Sequence, residues 1–148
     1  VRSSVRIKQS EKRQLSDPSL ACALLKLTEK SLLKNLEILG CLFESLCARD
    51  LKIYADSFDA KLYHYQDYKG REIDIVVELS NGHWCAFEVK LGASQIDQAA
   101  SNLLKISREL KEESNNAPDV LCVLCGLSNA AYCREDGVFV VPITALRP

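Results

Sequence analysis

Two short segments separated by a glycine-containing tripeptide restrict the fold more than any other part of the chain: REIDIVVEL (71–79), SNG (80–82) and HWCAFEVKL (83–91). Each flanking segment alternates with the period of a strand, and the tripeptide carries turn chemistry, so together they predict a β-hairpin. Alternation puts Glu72, Asp74, Val76 and Glu78 on one face of the first strand, with Ile73, Ile75, Val77 and Leu79 on its reverse. In the second strand Trp84, Ala86, Glu88 and Lys90 share one face, and Cys85, Phe87, Val89 and Leu91 the other. Loop length then sets the register. A two-residue Asn81-Gly82 turn would oppose Asp74 to Val89 and Ile75 to Glu88, setting hydrocarbon against charge. A three-residue loop with Gly82 in the left-handed bulge position opposes Leu79 to His83, Ile75 to Phe87 and Asp74 to Glu88, and the apolar face becomes continuous. That second register is the expected one.

In it, two carboxylates meet. Opposed residues have Cβ atoms about 4.5–5.5 Å apart, close enough for Asp74 and Glu88 to hold one divalent cation through oxygen ligands. Lys90, two residues beyond Glu88 on the same face, is placed to neutralise the pair, to orient a metal-bound water or to stabilise charge on a phosphate. Hydrolysis of a phosphodiester uses such a set. Glu44 offers a further acid from a long predicted helix. It follows Phe43 on the inner side, and Gly40 and Ala48, four residues either way, leave room for an ion or a phosphate beside it. The competing reading is a solvated hairpin face with an ordinary surface glutamate.

Around the hairpin the elements alternate. Ser16-Asp17-Pro18 starts a short helix through Leu27, and Asn35 caps a longer one through about Ser57, in which Leu36, Leu39, Phe43, Leu46 and Tyr54 face a core. Lys61–Gln66 is a strand before the turn signal Tyr68-Lys69-Gly70. Ser94 is expected to cap a helix from Gln95 to Glu113, with Ile96, Ala99, Ala100, Leu103 and Leu110 on one side, and Asn115-Asn116-Ala117-Pro118 ends it. Val120–Cys125 is apolar on both faces, as a buried parallel strand is, and Val138–Val141 repeats that pattern. A right-handed crossover through the helix would lay Val120–Cys125 parallel in the same sheet. The fold class is α/β, a mixed sheet flanked by helices.

The 148 residues are 47% hydrophobic, with 19 basic and 20 acidic side chains, so charge selects neither a nucleic acid nor a membrane. One domain of this size folds without a disulfide or metal staple. No apolar run approaches the roughly 18–20 residues of a membrane span, and the first residues lack the apolar core of a secretory signal, which predicts a cytoplasmic protein. Arg2, Arg6, Lys8, Lys12 and Arg13 form a basic arm, read as a solvated tail ahead of a phosphate-binding one. The sequence has no methionine, as expected of a piece of a longer protein unless processing removed the initiator, and no phosphate-binding loop. Its seven cysteines read as small core hydrophobes. Cys122-x-x-Cys125 has half a zinc site's spacing, but residues three apart in a strand face opposite sides. His64 and His83 are expected at the surface rather than as catalytic bases. Tyr63, Tyr65 and Tyr68 read as strand aromatics before base-stacking ones.

An acidic helix position, an aspartate, Glu-x-Lys and then a helix with glutamines, laid on an αβββαβ order, resemble the PD-(D/E)XK nuclease superfamily, the restriction-endonuclease-like fold, over about Asn35 to Cys125. More closely, LSDPSLACALL, LGCLFESLCARDL, YHYQD, REIDIVVEL and AFEVKLG are similar to the uncharacterised C-terminal domain of bacterial and archaeal AAA-type ATPases, from about Arg13 onward. The resemblance implies metal ligands at Asp74 and Glu88 for Mg2+ or Mn2+, the motif lysine at Lys90 and the first-helix acid at Glu44. Ile73 stands where a proline often precedes the aspartate. Gln95 and Gln98 would line the site, with solvent-facing glutamines as the other reading. It also implies that residues 1–34 link to a missing ATPase part and residues 35–148 form the nuclease-like domain. The expected partners are that ATPase domain and a nucleic acid, DNA ahead of RNA. A catalytically silent module of the same fold, serving the ATPase, is the alternative.

Overall fold

Alternation in the sequence becomes a six-stranded mixed sheet in the computed structural model, which describes residues 16–147. Strands β1 (Lys61–Gln66), β2 (Glu72–Glu78) and β3 (Trp84–Lys90) run antiparallel. Next to β3 lies β4 (Val120–Cys125), parallel to it as the crossover rule requires, followed by β6 (Phe139–Val141), parallel to β4. A two-residue strand, β5 (Tyr132–Cys133), closes the edge. Both its residues are exposed, so it carries no alternation to read. The helices are α1 (Pro18–Leu24), α2 (Glu29–Lys34), α3 (Leu36–Asp56) and α4 (Ile96–Ser114). Among the described residues, no helix is long and apolar enough to cross a membrane.

The two long helices cover opposite faces of the sheet. On one, Cys47, Ala48, Leu51 and Ala55 of α3 pack against Ile75, Val77, Val89 and Leu124. On the other, Ile96, Ala100, Leu103 and Leu110 of α4 pack against Trp84, Ala86 and Val123. The central strand β4 divides between them, with Cys122 and Leu124 in the first core and Val123 and Cys125 in the second. Burial on both faces explains why β4 reads as continuous hydrocarbon.

Several boundaries differ from expectation for local reasons. The short helix does not run to Leu27. Lys26 adopts φ +51 and ends it, and Thr28 starts α2 with a capping box in which Thr28 Oγ1 and Ser31 Oγ each accept the other's backbone N–H. Leu36 is 62% exposed, because the first turn of α3 projects past the core. Ser94 does not cap α4. It sits inside a 3-10 turn, Ala93–Gln95, in which Gln95 Oε1 accepts the Gly92 N–H at 3.2 Å.

The hairpin closes as the three-residue loop requires. Leu79 N–H donates to His83 O at 2.8 Å, Ile75 lies opposite Phe87, and Gly82 has φ +88. Nothing lies within 4 Å of a Cβ built on Gly82. Its substitution is therefore opposed by backbone conformation alone. Gly82→Ala is expected to cost about 1–2 kcal/mol, and Gly82→Asn, a residue that tolerates positive φ, distinctly less. Urea denaturation of the two variants beside the wild type measures the difference.

Candidate functional site

Strands β2 and β3 are zipped at their turn end and part at the other. The ladder runs from Glu78 opposite Trp84 to Ile75 opposite Phe87 and stops one pair short of Asp74 and Glu88. The cause lies on the far side of β2, where Tyr63 pairs with Val76 and Tyr65 with Ile73, so that His64 alone opposes both Asp74 and Ile75. A surplus residue of this kind bends its strand and offsets the alternation by one. Ile73 accordingly packs with Val76 and Ala86 in the core under α4, whereas strict alternation assigned it to the face of Ile75 and Val77.

Asp74 is thus not the ladder partner of Glu88; it fills the seam. Its Oδ2 accepts the Val89 N–H at 2.9 Å, and because a strand's N–H lies in the sheet, the carboxylate sits where β2 and β3 separate. Glu88 leans toward α4, its Oε1 accepting from Asn102 Nδ2 at 3.0 Å. Lys90 draws the two acids together, with Nζ 2.7 Å from Glu88 Oε2 and 3.5 Å from Asp74 Oδ2. Glu44, on α3, lines the same cleft of about 410 Å³, and its Oε1 is shielded from solvent. All four charged residues singled out in the sequence therefore border one cleft. A larger cavity of about 940 Å³ beside the hairpin turn is bordered by none of them.

Charge and burial pull on these groups in opposite directions. Burial, then the neighbouring Asp74 charge, pushes the Glu88 carboxyl up, and the bonds from Lys90 and Asn102 offset only part of that. Burial opposes the Lys90 ammonium, but its bond to Glu88 and the charge of Asp74 prevail and hold it above the usual lysine range. Lys90 is therefore a charged donor at neutral pH, not a free base.

The glutamines fall elsewhere. Gln95 and Gln98 are exposed and do not border the cleft, Gln95 being bonded to Gly92. In their place α4 presents Asn102 and, one turn on, Lys105. Asn102 interrupts the apolar stripe beside Leu103, and a polar residue at the margin of a core face was the available signal. Sequence reasoning also missed the clamp at the border of the cleft, whose wall Arg71 itself forms in part. Tyr65 hydroxyl and Arg71 Nε both donate to Asp67 Oδ2, at 3.0 and 2.6 Å, and Arg71 forks onto both Glu113 oxygens at 3.0 Å. Burial alone would raise the Asp67 carboxyl; the Arg71 guanidinium and N–H and the Tyr65 hydroxyl outweigh it and hold it low. The clamp ties the β1–β2 turn to the last turns of α4 and fixes where β2 enters the site.

The histidines and tyrosines divide. His83 is exposed beside Asp119, as expected, whereas His64 is half-buried, its side chain 16% exposed at the edge of the larger cavity. Tyr63 and Tyr68 are exposed and Tyr65 is buried. The basic arm lies outside the described residues. Cys122 and Cys125 point into separate cores and share no metal. Cys47, Cys122 and Cys125 are buried, Cys41 and Cys133 exposed, and burial pushes the Cys47 and Cys122 thiols up to about 12. Among the described residues, no group of three His, Cys, Asp or Glu is assembled to hold a metal. Carboxylate oxygens are the donor type a hard cation such as Mg2+ takes; here both Glu88 oxygens and Asp74 Oδ2 already meet Asn102, Lys90 and Val89.

A family model described as a domain of unknown function (DUF4143) matches residues 39–146. No curated protein and no solved structure matches the chain.

The raised Glu88 carboxyl sets a pH dependence. Its neutral form is favoured by folding, so its contribution falls as pH climbs from the ordinary carboxyl range to the raised value, and is constant beyond. Glu88→Gln, which also removes a Lys90 partner, is expected to lose the part of the fall in melting temperature that Glu88 ionisation causes in the wild type as pH rises out of the ordinary carboxyl range, as thermal denaturation of both at pH 4 and pH 7 would read.

Proposed function

The chain belongs to the DUF4143 family, a domain of unknown function, and we propose that its cleft hydrolyses phosphodiester bonds with Mg2+ or Mn2+, DNA being the expected substrate. The observation that carries this reading is the convergence of the Asp74 and Glu88 carboxylates on the Lys90 ammonium, beside Glu44. The cleft wall carries the acids Glu44, Glu72, Asp74 and Glu88 and the bases Lys69, Arg71, Lys90 and Lys105, and the carboxylate oxygens are the donor type Mg2+ prefers. When bound, the cation supplies charge neutralisation at the phosphate and a more acidic water. Asp74 and Glu88 would hold it, and Asn102 fixes the orientation of Glu88. Lys90 donates to a phosphate oxygen or to the attacking water, and Glu44 accepts from that water. Lys105 meets a flanking phosphate. Water adds to phosphorus and gives up its proton to Glu44, one ester P–O bond breaks, and the departing oxygen takes a proton from solvent.

This residue set is also what resembles the PD-(D/E)XK superfamily, and in this reading the domain is the C-terminal part of an AAA-type ATPase. The family match begins at residue 39, past α1 and α2, which supports a boundary near residue 34 between the linking segment and the nuclease-like domain. A second reading, a silent module that packs on the ATPase, is favoured by the exposed Leu20, Leu24, Leu33 and Leu36 on α1, α2 and the start of α3, with Leu25 just past α1.

Two measurements separate the readings. Calorimetry with Mn2+ should show weak binding that disappears in Asp74→Ala and in Glu88→Ala. Supercoiled DNA with Mn2+ should be nicked slowly, with the rate lowered at least about a hundredfold in Lys90→Ala. Nicking that survives Lys90→Ala and Glu88→Ala together would belong to a contaminant. Absence of cleavage of any DNA or RNA, with no Mn2+ bound, would leave the silent module standing.

A further inference from the structure

The bulge that carries Asp74 into the seam needs something to hold it, and β1 supplies one side chain at that point. His64 is the single residue opposed to both Asp74 and Ile75. Its Nδ1 lies 3.3 Å from the Asp74 carbonyl oxygen, and its Nε2 lies 3.5 Å from Glu72 Oε1. A carbonyl can only accept, so the proton of this bond sits on Nδ1. The ring is 16% exposed, so water competes little for the bond. Asp74 is thus gripped from both neighbouring strands, by its carbonyl from β1 and by its carboxylate from Val89 of β3.

We propose that His64 is a positioning residue for the candidate metal site: its Nδ1–H fixes the bulged Asp74 peptide and so aims the Asp74 carboxylate at Val89 N–H and Lys90. A peptide free to rotate about the bulge would swing the carboxylate off both. The imidazole touches neither substrate nor cation; it acts through the Asp74 peptide, while its Nε2 also meets Glu72 at the cleft's border. This inference rests on the metal-site reading for its consequence, but not for its geometry, which the Val89 amide reports without any metal.

Asparagine tests it, because its side-chain N–H2 stands close to the position of a histidine Nδ1, whereas glutamine's stands near Nε2. His64→Asn should keep the bond; His64→Gln and His64→Ala should lose it. In the metal-free full chain, hydrogen exchange and the chemical shift of the Val89 amide should be native in His64→Asn, and in His64→Gln should move toward the values of Asp74→Ala. With Mn2+ as the probe, calorimetry should show affinity lowered roughly tenfold or more in His64→Gln and little changed in His64→Asn, the size typical of groups that orient a metal ligand. A native Val89 amide in His64→Gln overturns the proposal, as does a His64→Asn variant as defective as His64→Gln. Should His64→Ala fail to fold, the Asn and Gln pair carries the comparison. A Val89 amide that responds as described in a protein that binds no Mn2+ would uphold the positioning role and remove the metal.

Discussion

One surplus residue in β2 governs both the packing and the chemistry of this domain. With two residues set against His64, Ile73 turns into the core under α4 while Ile75 and Val77 remain under α3, and the charged side chain between them is left in the sheet seam. A regular ladder would have placed Asp74 squarely on one covered face, where a carboxylate is costly. The bulge supplies a third location, between strands that have begun to part, and Val89 N–H, which the ladder no longer uses, becomes its partner. Bulges commonly re-aim a side chain in this way beside functional sites.

The cluster so formed is an uneasy one for stability. Glu88 is 6% exposed and shares its surroundings with Asp74, and the single ammonium of Lys90 must serve both. Buried ion pairs of this sort contribute little net stability, since the loss of hydration offsets most of the attraction. What holds the site in shape lies around it. The Asp67–Arg71–Glu113 clamp pins the entrance of β2 to α4, Asn102 steadies Glu88, and the two apolar cores fix the helices that carry these groups. The frame around the charge cluster, rather than the cluster itself, accounts for its shape.

Much of this was legible in the sequence, and the failures have identifiable causes. The α/β class, the hairpin loop and its register followed from apolar continuity and from Gly82, because register errors expose whole faces to the wrong environment. The four charged residues could be placed on one cleft from strand and helix periodicity. Their fine geometry could not, since the bulge arises from how β1 meets β2 and leaves no mark in the β2 alternation. The break at Lys26 was hidden for a related reason: a lysine at positive φ has no compositional signature. Gln98 shares its stripe of α4 with Asn102 and Lys105 but stands a turn nearer the helix start, and Gln95 is drawn into the 3-10 turn, so the cleft meets the stripe only further along.

The seven sulfurs have a bearing on how the domain tolerates oxidants. Cys47 and Cys122 hold their protons far above neutral pH, so almost no thiolate exists there to react, and with Cys125 they behave as hydrocarbon. Cys41 and Cys133, both at the surface, meet peroxide or a soluble disulfide first. An adduct at either stands in solvent and leaves both cores intact. A sulfinate in β4 would place an anion between α3 and α4 where only apolar side chains surround it, and the sheet could not close around it. Oxidation is therefore expected to reach Cys41 and Cys133 before the buried sulfurs of the central strand.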